Sequence, residues 1–307
     1  MKNYKQWWSI FVVILLISIS IIFFMFKKEE IISLLNISLY LIFILIFLNL
    51  ITLILNGLRI KVLMEPYNIK LKFSEWSGIS VLNTAGNYLT PFQGGLFFRS
   101  IYLKKKYNFP YSSFITTVLA SYIAGFFIYG LIGIILVLFF NSNFLFKLPM
   151  VIFFFILTLF TLYIILFSPK INNTSFRFIN RFIKIINEWS NISKKKTFVV
   201  KLLAIEFFSL IFVSLRMFYA FKAISYSLGF ASSIFISIFF SISVLLSITP
   251  AGLGIRESFV GFSSQIIGLN FDKGVIAATI DRIIIIVLII ILAPIFTYFL
   301  SKKSKKL

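Results

Sequence analysis

The chain has 307 residues, of which 60% are hydrophobic and only 13% charged, and its formal net charge is +21. A soluble domain carries roughly a quarter charged residues, so this composition excludes an ordinary soluble protein and points to a bilayer. There is no cysteine and no histidine, which excludes disulfides, thiolate catalysis, histidine metal sites and imidazole acid–base work.

The apolar residues fall in runs of the roughly 20 residues needed to cross a membrane. The first, residues 7–26, follows Lys2 and Lys5. It is too long for a signal-peptide core and lacks a small-residue cleavage site, so it reads as an uncleaved first helix. The second run covers roughly residues 31–58. Later full-length runs are residues 111–140, 148–167, 198–221 and 275–300. Two further stretches, residues 74–98 and 230–268, are apolar but interrupted by proline and glycine clusters.

Positive charge sets the orientation of such runs. One set of connecting segments holds Lys2 and Lys5, then Arg59, Lys61, Lys70 and Lys72, then Arg99 and Lys104 to Lys106. It continues through the block from Lys170 to Lys201 and the tail from Lys302 to Lys306, and carries 22 of the 30 Lys and Arg residues. The opposite set (Lys27, Lys28, Lys147, Lys222, Lys273) carries 5. The rich set is therefore expected to be cytoplasmic, with both termini inside. The basic excess is a matter of topology and anionic headgroups rather than of nucleic acid.

Residues 74–98 then have positive segments on both flanks and are too short for two crossings. They are expected to enter and leave from the same side as a re-entrant hairpin. Residues 230–268, between Lys222 and Lys273, are expected to dip from the opposite side. The fold class that follows is an all-α polytopic membrane protein, with about six full transmembrane helices plus two re-entrant helical hairpins arranged as an inverted repeat. It forms a single integral membrane domain, residues 1–307, with halves at about 1–141 and 147–307. Broken segments in matching positions of two such halves mark the binding site of many transporters. Residues 170–196 form a cytoplasmic amphipathic linker. Its Phe178, Phe182, Ile185, Ile186 and Trp189 recur at helical spacing with Arg177, Arg181 and Lys184 between them, the pattern of an interfacial amphipathic helix.

The two broken stretches share local sequence. The first reads Thr90-Pro91-Phe92-Gln93-Gly94-Gly95 and reaches Arg99; the second reads Thr249-Pro250-Ala251-Gly252-Leu253-Gly254-Ile255-Arg256-Glu257. Proline ends the incoming limb by removing an amide donor, and glycine permits the reversal. The freed amides that open the return limb favour an anion, and an arginine nearby adds a fixed charge with bidentate phosphate geometry. Helix packing with arginines snorkelling to headgroups is the plainer alternative, but two matching motifs in opposed hairpins favour a site.

These motifs, Asn87-x-x-x-Pro91-x-x-x-Gly95-x-x-x-Arg99 and the run from Thr249 to Glu257, resemble the lysylphosphatidylglycerol synthase transmembrane, or flippase-like, family over essentially the whole chain. The resemblance implies translocation of a lipid or lipid-linked glycan, or support of an enzyme acting on such lipids. Ala251 stands where the family's motif has glycine, Leu96 where an acidic residue is common, and Ser121-Tyr122 near the place of an acidic–arginine pair that Asp281-Arg282 keeps in the second half. The sequence to Leu307 carries no counterpart of the family's soluble aminoacyl-transfer domain, so lysyl transfer is not expected of it.

Glu206, Arg216, Glu257, Asp281 and Arg282 complete the intramembrane charges. Helix neighbours point apart, so Glu257 and Asp281 are expected to pair across helices rather than with Arg256 and Arg282. Structural ion pairs are one role for these groups; the other makes Glu206 or Asp281 a coupling carboxylate and Arg216 or Arg282 a phosphate ligand. No catalytic motif, metal cluster or cofactor motif is legible, so the chain is expected to be neither an enzyme nor a cofactor carrier. The function expected is flipping of a phosphate-bearing lipid, anionic or polyprenyl-phosphate-linked, between leaflets of the cytoplasmic membrane. Arg99 and Arg256 would hold phosphate, and Asn87, Thr90, Gln93 and Thr249 would donate hydrogen bonds. A secondary transporter of a small soluble anion and an accessory subunit of a lipid-modifying enzyme partner are the alternatives.

Overall fold

The computed structural model describes residues 37–139 and 144–304; the expected first helix, residues 7–26, lies outside them. The described residues form ten α-helices joined by short turns: α1 (Leu39–Met64), α2 (Phe73–Leu89), α3 (Gly94–Tyr107), α4 (Tyr111–Phe139), α5 (Phe144–Leu166), α6 (Arg177–Ser193), α7 (Lys196–Ala223), α8 (Phe230–Ile242), α9 (Ile255–Ile266) and α10 (Phe271–Ser304). Five segments are long and apolar enough to cross a membrane: Leu39–Tyr67, Tyr111–Phe139, Lys147–Leu166, Lys196–Ala223 and Phe271–Leu300. The two interrupted stretches become helix pairs, α2–α3 and α8–α9, whose members are 12 to 17 residues long. At 1.5 Å per residue none of the four reaches across a hydrocarbon core of about 30 Å.

The first described helix differs from expectation at its end. The apolar pattern places its end near residue 58, yet α1 runs on to Met64 and is stopped only at Glu65–Tyr67, a 3₁₀ turn containing Pro66. Nothing before Pro66 removes a backbone donor, so the helix carries Arg59 with it rather than releasing it to a loop. The same holds for Arg99, which sits on α3, buried, well before the helix ends at Tyr107.

The outside of the bundle is apolar. Phe153, Phe155, Ile156, Leu159 and Phe160 on α5 and Ile283, Val287, Ile290 and Ile291 on α10 are exposed, as helices surrounded by lipid require. Small residues allow the closest contacts. A Cβ on Gly133 would meet the Phe154 ring of α5 at 2.5 Å, and one on Gly57 would meet Trp76 of α2 at 2.4 Å. Many of the interior hydroxyls turn back to the carbonyl four residues earlier in their own helix, as Ser214 does to Leu210 and Thr158 to Phe154.

Helix α6 straps one end of the bundle. Trp189 Nε1 donates to the Ile164 carbonyl at 3.0 Å and Ser190 Oγ to the Ser168 carbonyl at 2.6 Å, while Glu188 accepts from Ser112 of α4 at 3.2 Å. Ile183, Trp189 and Ile192 are buried beneath it, and Phe178, Ile179 and Phe182 are exposed. At the same end buried Glu75 of α2 accepts from its own helix's leading amide, that of Lys72, at 2.8 Å, and from Tyr107 at 3.0 Å, and pairs with Lys106 of α3. Burial pushes this carboxyl upward, but the hydrogen bonds from Lys106, Lys72 and Tyr107 outweigh it and hold it below the usual carboxylate range.

The α2–α3 turn is built on backbone proximity. A Cβ on Gly95 would lie 1.8 Å from the Asn83 carbonyl oxygen, and one on Gly86 2.7 Å from Gly95 Cα. Overpacking of a close contact costs about 1–3 kcal/mol; here the obstacle is main chain and cannot step aside. Gly95→Ala is therefore expected to destabilise the protein by at least about 2 kcal/mol, read as a lower melting temperature in detergent, whereas Gly229→Ala, whose nearest obstacle is a serine hydroxyl at 3.8 Å, changes it little.

Candidate functional site

Four helices turn a polar stripe inward. On α1 it is Asn49, Thr52, Asn56 and Arg59; on α2 Ser80, Asn83, Thr84 and Asn87; on α4 Ser121, Tyr122 and Tyr129; on α7 Glu206, Ser209 and Arg216. Spacings of three, four and seven residues put the α1, α2 and α7 sets each on one helical face, as they do Tyr122 and Tyr129 of α4. Together with Gln93, Arg99, Ser241 and Arg256 they line one cavity of about 260 Å³, just below the about 300–1,000 Å³ usual for ligand sites.

The two chain breaks meet at this cavity. The Phe92 amide donates to the Ile248 carbonyl at 3.3 Å, and Gln93 Nε2 donates to the Val244 carbonyl at 2.6 Å while its Oε1 accepts from Tyr122 at 3.0 Å. Asn87 fixes the first break, its Oδ1 accepting the Gly95 amide at 3.0 Å. Phe92 and Gln93 both take positive φ, 54° and 53°. In the second break Ala251, Gly252 and Gly254 do the same, at 56°, 64° and 82°. Ala251 thus occupies a left-handed position, φ 56°, that glycine fills without strain.

The structure divides the sequence-expected residues into two groups. Asn87, Gln93, Arg99, Glu206, Arg216 and Arg256 line the cavity. The others shape it from behind. Thr90 Oγ1 donates to the Gly86 carbonyl at 2.7 Å and Thr249 Oγ1 to the Leu253 carbonyl at 2.9 Å, so both hydroxyl protons expected for a headgroup serve the turns instead. Pro91 and Pro250 sit in the breaks. A Cβ on Gly94 would lie 1.9 Å from Thr90 Oγ1. Glu257 caps α9 through the Gly254 amide at 2.8 Å and pairs with Arg282 Nε at 2.6 Å. Arg282 reaches the carbonyls of Ala251 and Gly252, each at 3.4 Å, and so ties the second break to α10.

Charge pairing crosses helices, as expected. Arg216 of α7 grips Asp281 of α10 through two nitrogens, Nε to Oδ1 at 2.8 Å and Nη2 to Oδ2, and Asn49 Nδ2 adds a 3.4 Å contact to Asp281. Glu206 pairs with Arg59 Nε at 2.7 Å, and Arg59 Nη2 also meets Ser209 at 3.3 Å. Among the described residues no carboxylate comes within ion-pair distance of Arg99 or Arg256. Their guanidiniums instead lie over the rings of Phe114 at 4.9 Å and Phe240 at 5.5 Å, and Arg256 Nε is buried without a hydrogen-bond partner among the described residues. A cation–π contact is worth about 0.5–2 kcal/mol, far less than the loss of hydration of a buried guanidinium. The arrangement attracts an anion.

Arg59, Asn49, Asn83 and Tyr122 are among the lining residues that the sequence reading missed. The signal was present: Asn49, Thr52, Asn56 and Arg59 recur at helical spacing along an otherwise apolar run.

Fold and site define an α-helical membrane protein with a charged internal cavity. Residues 10–293 match the family described as lysylphosphatidylglycerol synthase TM region, and the chain belongs to that family. Comparison with curated proteins and with solved structures returns no match.

Removing one partner of a buried ion pair costs about 3–5 kcal/mol, whereas replacing both by apolar residues of similar volume is often neutral. Asp281→Asn is therefore expected to lower the melting temperature strongly, and the double variant Arg216→Met/Asp281→Leu to recover most of the loss.

Proposed function

We propose that the protein carries the phosphate-bearing headgroup of a lipid between leaflets, with Arg99 and Arg256 as its phosphate ligands. The observation that carries this reading is the convergence of these two arginines, one from the helix after each chain break, on one small polar cavity with no carboxylate among the described residues within ion-pair distance of either. Intramembrane charge without a partner is expensive and usually functional. In this reading α2–α3 and α8–α9 are re-entrant hairpins of an inverted repeat, dipping from opposite faces of the cytoplasmic membrane. The lysine-rich ends of α3, α6 and α10 lie on the cytoplasmic side together with both termini.

Gln93 and Asn87 hold the hairpin tips in register, and the glycerol or prenyl tails remain in the bilayer while the headgroup crosses. The family's description, a transmembrane region of a lipid synthase, supports a lipid rather than a solute as cargo. A secondary transporter of a small soluble anion would use the same arginines and remains the second reading. The accumulated buried charge weighs against a purely accessory subunit, for which a flat apolar surface would suffice. No catalysis is assigned to the chain; a lipid-modifying enzyme would supply or consume its cargo.

Mass spectrometry of lipids retained by the gently purified protein tests the reading. One phosphate-bearing lipid class is expected to be enriched in the parent and lost, by about tenfold or more, from the Arg99→Ala/Arg256→Ala variant, the scale of one charged hydrogen bond. The same bulk lipid mixture in both proteins would overturn it.

A further inference from the structure

The charges around the cavity do not balance, and the imbalance carries information about the cargo. Each carboxylate of the cluster already answers one arginine: Glu206 answers Arg59, Asp281 answers Arg216, and Glu257 answers Arg282. Among the described residues, five arginines thus face three carboxylates, and the excess of two resides on Arg99 and Arg256. The tyrosines of the lining, Tyr88, Tyr122 and Tyr129, are uncharged as phenols and offer hydroxyls only.

Field strength in a site walled by apolar helices is far higher than in water, so an occupant is favoured when it brings as much negative charge as the walls lack. A phosphodiester headgroup brings one charge. A phosphomonoester brings about 1.5 to 2 at neutral pH, because its second proton leaves near pH 6, and a diphosphate brings at least two.

We infer that the cavity is built for a dianionic phosphate, a phosphomonoester or diphosphate end group, rather than for a phosphodiester. This inference rests on the reading of Arg99 and Arg256 as phosphate ligands, and it narrows the cargo to lipids ending in phosphate or diphosphate. The cavity volume of about 260 Å³ is ample for such a terminal group. Arg59 supplies a third guanidinium at the wall. Its only carboxylate partner among the described residues is Glu206, and its side chain retains 24% of its exposure, so it adds a paired, partly accessible charge to the wall.

The test is competition at pH 8 for the purified protein in neutral detergent. Phosphatidic acid and phosphatidylglycerol with identical acyl chains are offered together, and the retained lipid is quantified after gel filtration. Phosphatidic acid is expected to be retained about tenfold over phosphatidylglycerol, the worth of one extra charge contact in such a site. Arg256→Gln is expected to bring the ratio below about threefold, and Arg256→Lys, which keeps the charge, to preserve most of it. The ligand-free Arg256→Gln protein is expected to melt no lower than the parent, since it loses an unneutralised buried charge; that result separates loss of the site from loss of the fold. Inorganic pyrophosphate is the soluble probe: displacement of phosphatidic acid by pyrophosphate at equal concentration supports the same dianion chemistry with a soluble source. Equal retention of both lipids, with both lost in Arg99→Gln, would overturn the dianion inference and leave the phosphate site standing. Retention indifferent to either arginine would remove both.

Discussion

The cost of placing charge inside an apolar bundle organises this structure. A guanidinium or carboxylate removed from water loses many kilocalories per mole of hydration and recovers them only through close, well-oriented partners. Arg216 and Asp281 meet that demand with a two-point contact between α7 and α10, Arg59 and Glu206 do so between α1 and α7, and Glu257 and Arg282 between α9 and α10. These pairs link helices whose outer faces are uniformly greasy and specify little about register. Lipid offers no hydrophobic drive for helix association, so a few polar contacts and close glycine crossings fix which helix lies where.

Against that background the two arginines without carboxylates stand apart. They come from the helices that follow the two breaks in the chain, where the helical ladder is interrupted and amides such as those of Phe92, Gly95 and Gly254 are satisfied by Ile248, Asn87 and Glu257. The breaks are held from outside by residues that never touch it: Thr90 and Thr249 satisfy local carbonyls, and Arg282 braces the second turn. Sites set on irregular backbone within a membrane need such a second layer, because unsatisfied peptide groups there are as costly as unpaired side chains.

The sequence announced some of this and concealed the rest, for physical reasons. Proline, glycine and threonine have local meaning, so both breaks and their arginines were legible from a dozen residues each. The class of fold was legible from run length and composition. What the residues could not reveal locally was partnership. Arg59 looked like one more cytoplasmic charge beside Lys61, because its partner Glu206 lies about 150 positions away. The stripes on α1 and α2 were hidden because asparagine, serine and threonine dilute an apolar run without ending it. The hydroxyls of Thr90 and Thr249 pointed to ligand binding on type alone, while their backbone neighbours already claimed them.

The seal between the breaks is thin: the Phe92 amide on Ile248, and the Gln93 side chain on Val244 and Tyr122. In the proposed carriage of a headgroup, the charge it bears would cross the membrane's electric field at this contact. Each elementary charge moved through the full drop exchanges about 2.3 kcal/mol per 100 mV. Carriage through the seal would then be electrogenic in proportion to the charge of what passes, and the resting potential would give the exchange a preferred direction without nucleotide or ion gradient of the protein's own.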